Sequence, residues 1–171
     1  ICGAVQNGIP EQAANAIYDQ ILDFASYAFN KAHAVCYAMV AYQTAYLKCH
    51  YPREYMAALM TSVLDSTTKI SEYIAECKEL GIALLPPDVN ESDDQFTVTD
   101  QGIRFGLGAV KNIGMGFVRQ LMEERQRGGA FTSLEDFCQR LYDTDLNKRA
   151  LENLIKCGAM DCFGVYRSQL L

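Results

Sequence analysis

Three absences narrow the reading of this 171-residue chain. No run approaches the roughly 18 consecutive uncharged apolar residues of a membrane span, and the opening residues, ICGAVQNGIPEQ, lack the basic and apolar regions of a signal peptide. A cytoplasmic protein with no membrane partner is expected. No C-x-x-C occurs among the seven cysteines, and neither histidine, His33 or His50, stands beside a cysteine cluster. A zinc site needs about four converging thiolate or imidazole ligands. The cysteines therefore read as small apolar thiols in a reducing compartment, and no metal site is expected. The third absence is local: between Asp23 and Glu54 there is no acidic residue. Lys31, Lys48, Arg53 and both histidines fall in that window, a candidate landing place for an anion.

What is present is globular: 50% hydrophobic and 21% charged residues, enough chain for one ordinary core or two small domains. The net charge of −6 argues against a generic nucleic-acid binder, but it is uneven. Residues 65–100 set nine acids against Lys69 and Lys78, whereas residues 101–128 set five bases against Glu123 and Glu124. The acid-free window and this second basic island both call for explanation.

Residues 10–25 have the pattern of an amphipathic helix, with Pro10 and Glu11 at its start and Ala14, Ile17, Ile21, Phe24 and Ala25 at helical spacing for packing. The segment ICGAV has no start signal, so the chain is expected to begin within a domain. Asn30 is a good N-cap for a helix over residues 31–50, which Tyr51-Pro52 should end. Its apolar and small residues lie on several sides, so protein or ligand is expected around it. His33 and Tyr37, four apart, share a face with Asn30, and Lys31 leaves the same first turn. A phosphate there would meet exposed amides, an ammonium and an imidazole, with Tyr37 as a flat surface for a base or sugar. A plain capped helix with a core histidine fits the same spacing.

Further helices are expected over residues 53–64, with Tyr55, Leu59, Met60 and Val63 buried, and from a cap at residues 65–68 to Gly81, through Ile70, Tyr73, Ile74, Cys77 and Leu80. After Gly81 the composition changes. QFTVT and GIRFGL flank Asp100-Gln101-Gly102 and predict a small β-hairpin in a connector. Asp88, Glu91, Asp93 and Asp94 lack the pattern of a calcium loop and read as a solvated loop. Then a short segment over residues 107–111, the turn Asn112-Ile113-Gly114 and a helix over residues 115–126 have the layout of a helix-hairpin-helix. Such a turn lets backbone amides approach a DNA phosphate, with Lys111 and Arg119 as counter-charge and glycines at 106, 108, 114 and 116 as a moderately specific signal. A structural hairpin without DNA fits the pattern too. Residues 133–141 and 147–157 predict two short helices, the first capped by Ser133 with Asp136, the second closed by Gly158. Lys148-Arg149 in the last helix oppose its dipole and read mainly as exposed surface. The ending SQLL carries no stop signal, a second expectation of excision from something larger.

YAFNKAHA (residues 27–34), YQTAYLKCHYPREYMAALMT (42–61), LLPPDVN (84–90), IRFGLGAVKNIG (103–114) and LNKRALENLIKCGAMD (146–161) resemble, in this order, the C-family of bacterial replicative DNA polymerases, the alpha subunits of DNA polymerase III. The resemblance implies a mainly α fold: a distal fingers helical subdomain over residues 1–81, a β-hairpin connector over 82–106, then a helix-hairpin-helix DNA-binding region with further short helices over 107–171. It implies that Asn30, Lys31 and His33, with Tyr37 behind them, contact a deoxynucleoside triphosphate. It also implies that Lys111, Asn112, Ile113 and Gly114, with Gly116 and Arg119, contact duplex primer-template DNA. Ala32 stands where the family usually has Ser, and Asn112 where the hairpin usually has Gly. The family's catalysis uses acidic palm residues and Mg2+ in a part that precedes this segment. The resemblance thus implies no catalytic residue and no bound cofactor here, inactivity of the fragment alone, and the rest of the polymerase subunit as partner. A non-catalytic helix-hairpin-helix module and a pure protein-interaction domain are the other readings.

Overall fold

The computed structural model describes residues 1–28 and 30–171, with side chains described for residues 1–25 and 30–171. Phe29 and the Tyr27 side chain of the YAFNKAHA motif lie outside the described residues. The chain divides into two compact units, Ile1–Tyr46 and Leu47–Leu171. It is mainly helical with one small sheet, the expected fold class.

In the first unit, α1 (Cys2–Gln6) turns back on α2 (Glu11–Ala28), and Ala14 is buried beside a shallow apolar hollow lined in part by Ile1, Ile9 and Ile17. The stripe expected to pack is otherwise uncovered: Ile17, Ile21 and Phe24 are exposed. Helix α3 (Lys31–His50) has the predicted limits, but none of its residues is buried. The expectation that protein or ligand surrounds it is not met within this chain. Val35, Met39 and Tyr42 share one face of the helix and Tyr37, Val40 and Leu47 lie on the other side, all exposed, so no single neighbour can cover them all.

In the second unit Pro52 at the first helical position starts α4 (Pro52–Thr61), and Ser66 precedes α5 (Thr67–Glu79), which Gly81 terminates in the left-handed conformation at φ +70°. The buried stripe of α4 is Met56, Ala57 and Met60, with Tyr55, Leu59 and Val63 only half-buried. The helix is thus rotated from its predicted facing, because Ile70 and Cys77 of α5 meet it together with Phe96 and Ile103. The hairpin forms from β2 (Thr97–Thr99) and β3 (Gly102–Arg104), antiparallel with Val98 opposite Ile103. A third strand, β1 (Leu84–Leu85), pairs parallel to β3. It comes so close that a β-carbon on Gly102 would lie 2.2 Å from the Ala83 carbonyl oxygen.

A second core gathers Val89, Leu107, Phe117, Val118, Leu121, Phe137, Leu141, Leu154, Ile155 and Met160. They come from α6 (Met115–Gly128), α7 (Leu134–Arg140), α8 (Lys148–Cys157) and the segments between; α9 (Arg167–Leu170) follows. The predicted cap forms, Ser133 Oγ accepting from Asp136 N–H at 3.1 Å, and Asn147, expected only as the first residue of its helix, caps α8 by accepting from Ala150 N–H at 3.0 Å. Asp136 reaches back to Thr132 N–H at 2.9 Å rather than to the cap residue's own amide. Phe105 packs against both cores and meets Phe96 edge to face at 4.8 Å.

The acidic loop is the main correction to the fold. Ser92 is fully buried, its Oγ accepting from Asp88 N–H and donating to the Phe105 carbonyl. Asn90 exchanges two hydrogen bonds with the Phe131 backbone, and Arg125 donates to the carbonyls of Val89 and Ser92 and to Asp93. Of the four acids only Glu91 is exposed, and it pairs with Arg104. Buried backbone must find partners, so this segment is a pinned strap across the second core rather than a solvated loop.

Candidate nucleic-acid interface

Most charges of the two basic stretches are used inside the fold. In the acid-free window Lys48 is met by Glu76 from α5, whose carboxylate raises the lysine above its ordinary 10.5, and Arg53 donates to the Asp100 carbonyl at the hairpin turn. Remote sequence thus supplies the anion that the window itself lacks, and Lys31 is left without an ion pair among the described residues. In the second island Arg104 pairs with Glu91, Arg125 with Asp93 and Arg127 with Glu124. Only Lys111 and Arg119, both exposed, have no ion pair among the described residues. An island of five bases reduces to two that remain available to an external anion.

Those two flank the turn before α6. The first arm of the hairpin is only a 3-10 turn, Leu107–Ala109. Asn112 then takes φ +62°, the only positive φ of a non-glycine residue among those described, while Gly114 sits at φ −77°. Of Asn112 and Gly114, the two residues of the turn able to take a positive φ, only Asn112 does so, its short amide side chain tolerating that conformation. Ile113 is buried in the second core and anchors the turn, leaving Lys111, Asn112, Gly114, Met115, Gly116 and Arg119 exposed.

Ile113 N–H closes the turn opened at Val110, while the backbone N–H groups of residues 114–117 find no acceptor among the described residues, and Gly114 offers no side-chain cap. The first turn of α6 therefore keeps its unsatisfied amides and the positive end of its dipole. The four glycines divide. A β-carbon on Gly106 would lie 2.5 Å from Gln95 C, and one on Gly108 2.6 Å from Asp94 O, so these two serve close packing against the strap. A β-carbon on Gly114 would meet nothing within 4 Å. Gly114 and Gly116 are the open pair at the helix end.

At the other predicted site, Asn30 Oδ1 accepts from His33 N–H at 3.0 Å, and the rings of His33 and Tyr37 touch with centroids 4.4 Å apart. The shared face is real, and the structure brings Asn30, His33 and Tyr37 together on it. Asn30 is committed as a cap through its oxygen, so only its amide nitrogen remains for another partner. The amides of Lys31 and Ala32 find no acceptor among the described residues.

The described residues contain no group of three or more His, Cys, Asp or Glu side chains placed to hold a metal. They contain no helix long and apolar enough to cross a membrane. All seven cysteines are free. Cys2, Cys36, Cys49 and Cys162 are exposed rather than packed as small apolar groups, and partial desolvation with Asp88 nearby pushes the Cys162 thiol up to about 11, away from thiolate chemistry. Sequence reading missed the Arg140 centre. This arginine stacks 4.3 Å above the Phe131 ring, pairs with Glu124 and Asp136, and donates to the carbonyls of Glu124, Gly129 and Ala130. Nothing in the spacing of a lone arginine on a short helix marked it.

A family model described as a helix-hairpin-helix motif matches residues 81–170. The DNA polymerase III subunit alpha of Thermus aquaticus is 51% identical over 162 residues, 95% of this chain and 13% of that protein. Its counterpart from Mycobacterium tuberculosis is 49% identical over 98% of this chain, and that from Deinococcus radiodurans 44% identical over all of this chain. The chain spans 13–14% of the length of these relatives. Matched over more than half of its residues, the chain belongs to the helix-hairpin-helix motif family, and over nearly its whole length it is similar to a segment of bacterial DNA polymerase III alpha subunits.

Proposed function

We propose that this chain is the distal-fingers and hairpin segment of a cytoplasmic replicative DNA polymerase, and that it holds the primer-template duplex by its phosphates. The observation that carries this reading is the uncapped first turn of α6, with open amides over residues 114–117 between the two cations Lys111 and Arg119, which have no ion pair among the described residues. Amides and cations of this kind grip a phosphate without reading a base, which suits an enzyme that must travel over any sequence.

The nucleotide half of the proposal places a deoxynucleoside triphosphate at the start of α3. Lys31 would supply charge to the phosphates, the free amides of Lys31 and Ala32 two donors, and the touching rings of His33 and Tyr37 a flat wall for base or sugar. Ala32 brings no hydroxyl. The segment would position substrate and neutralise charge, a large part of phosphoryl-transfer catalysis, while the chemistry belongs to a palm outside it. The bare α3 then has a natural cover, the rest of the polymerase subunit, and the segment alone is expected to be inactive.

Two variants of the intact polymerase separate the halves. Lys111→Glu should weaken duplex binding with little change in nucleotide KM, and Lys31→Ala should raise nucleotide KM or lower kcat with duplex affinity unchanged. Unaltered parameters in either variant reject the corresponding half. A pure protein-interaction domain predicts no salt-sensitive duplex binding by the segment at tens of micromolar.

A further inference from the structure

Asp145 stands in the turn between α7 and α8, and its carboxylate faces the first turn of α6. A β-carbon built on Gly116 would lie 3.6 Å from Asp145 Oδ2. The turn is held there through its backbone: Asp145 N–H donates to Gln120 Oε1 at 3.2 Å, one helical turn along α6 from Gly116. The carboxylate itself has no hydrogen bond or ion pair among the described residues. It does not cap α8, which Asn147 does, and Lys148 pairs with Glu152 rather than with Asp145. The fold thus sets an anion without a hydrogen bond or ion pair among the described residues beside an uncapped helix N-terminus, where it also meets the positive end of the helix dipole.

Resting on the reading of α6 as a DNA-phosphate contact, we infer that Asp145 is a resident negative charge that limits how tightly this hairpin holds duplex DNA. A phosphate accepting from the amide of Gly116 would come within roughly 5–7 Å of the carboxylate, inside the screening length at ordinary ionic strength. Repulsion across that distance in a half-solvated interface weakens the complex by about three- to tenfold. The effect is local to the first turn of α6, where Lys111 and Arg119 attract what Asp145 repels. A hold softened in this way suits a protein that must release each phosphate in order to advance.

The test uses the full chain and a fluorescein-labelled duplex of mixed sequence, read by fluorescence anisotropy over a salt series. Asp145→Asn should tighten binding about three- to tenfold at low salt, with the gain shrinking as salt rises. Asp143→Asn is the control. It removes the same charge from the same turn, but Asp143 lines a hollow with Glu123, Glu124 and Arg127 away from Gly116. Equal gains from both variants would mean a net-charge effect and would overturn the inference, as would no gain from Asp145→Asn. Should that variant melt at lower temperature than the parent, Asp145→Ser carries the same expectation. Lys111→Glu separates the two levels: if it loses binding while Asp145→Asn gains nothing, only the inference fails. If Lys111→Glu binds as the parent does, the hairpin reading fails and the inference with it.

Discussion

The division of the four glycines predicts two different failures. In Gly106→Ala the new methyl must sit where Gln95 C is 2.5 Å and Gln95 O 2.7 Å away, both backbone atoms with little freedom to move. The strap is tied to this stretch by Leu107 N–H to Asp93 O at 2.8 Å and Gly108 N–H to Asp94 O at 3.0 Å. Relief therefore breaks or stretches two backbone hydrogen bonds, each contributing about 1 kcal/mol net, and adds overpacking of about 1–3 kcal/mol. A total near 3–5 kcal/mol lowers Tm by roughly 6–20 °C in a chain of this size. Gly114→Ala meets no atom within 4 Å and keeps φ −77°, so its cost is that of a poorer N-cap, under about 1 kcal/mol. The methyl nevertheless stands beside the open amides and should weaken duplex binding severalfold. Thermal melting by circular dichroism and anisotropy titration on both variants check this. A Gly106→Ala protein with parental Tm would refute the packing argument, and a Gly114→Ala protein destabilised as much as Gly106→Ala would refute the division.

Asn112→Gly should leave stability within about 0.5 kcal/mol of the parent, whereas Asn112→Val, forced to φ +62°, should lose about 1–2 kcal/mol in urea unfolding and weaken duplex binding through a distorted turn. Asn30→Ala removes the acceptor of His33 N–H, worth about 1 kcal/mol, and should speed amide exchange at His33 and Ala34 about fivefold while the melting of the second unit stays put. Acid should destabilise the protein. The hydrogen bond from Arg140 holds Glu124 below its ordinary 4.5, and that from Thr132 N–H holds Asp136 below its ordinary 3.8. A depressed carboxyl stabilises fully above its unfolded value and loses that contribution as pH falls through its folded value, so urea midpoints should be flat above about pH 5 and drop below about pH 4. Glu124→Gln should make that drop shallower; an unchanged profile would count against the pairing with Arg140.

Local chemistry was legible in the sequence where a single residue decides the outcome. Asn30 and Ser133 cap as their types dictate, Tyr51-Pro52 separates α3 from α4, Gly81 and Gly158 close helices in the left-handed conformation, and Asn112 turns the hairpin. What failed depends on distant partners. The segment over residues 88–94 looked solvated because the partners of Glu91, Asp93 and Asn90, namely Arg104, Arg125 and the Phe131 backbone, lie up to 41 residues away. The parallel strand β1 escaped notice because two residues carry no alternation. The basic islands were visible as composition, but which cations stay free follows from the fold, and it left Lys31 in one stretch and Lys111 with Arg119 in the other.

The central claim, that the first turn of α6 and the turn before it grip a DNA phosphate, is tested most directly by amide chemical shifts. Titration of the isotope-labelled chain with duplex DNA at low salt should move the backbone resonances of residues 111–117 first and farthest, with recovery on adding salt. Shifts confined to other residues, or none in this stretch at saturating DNA, would contradict the account.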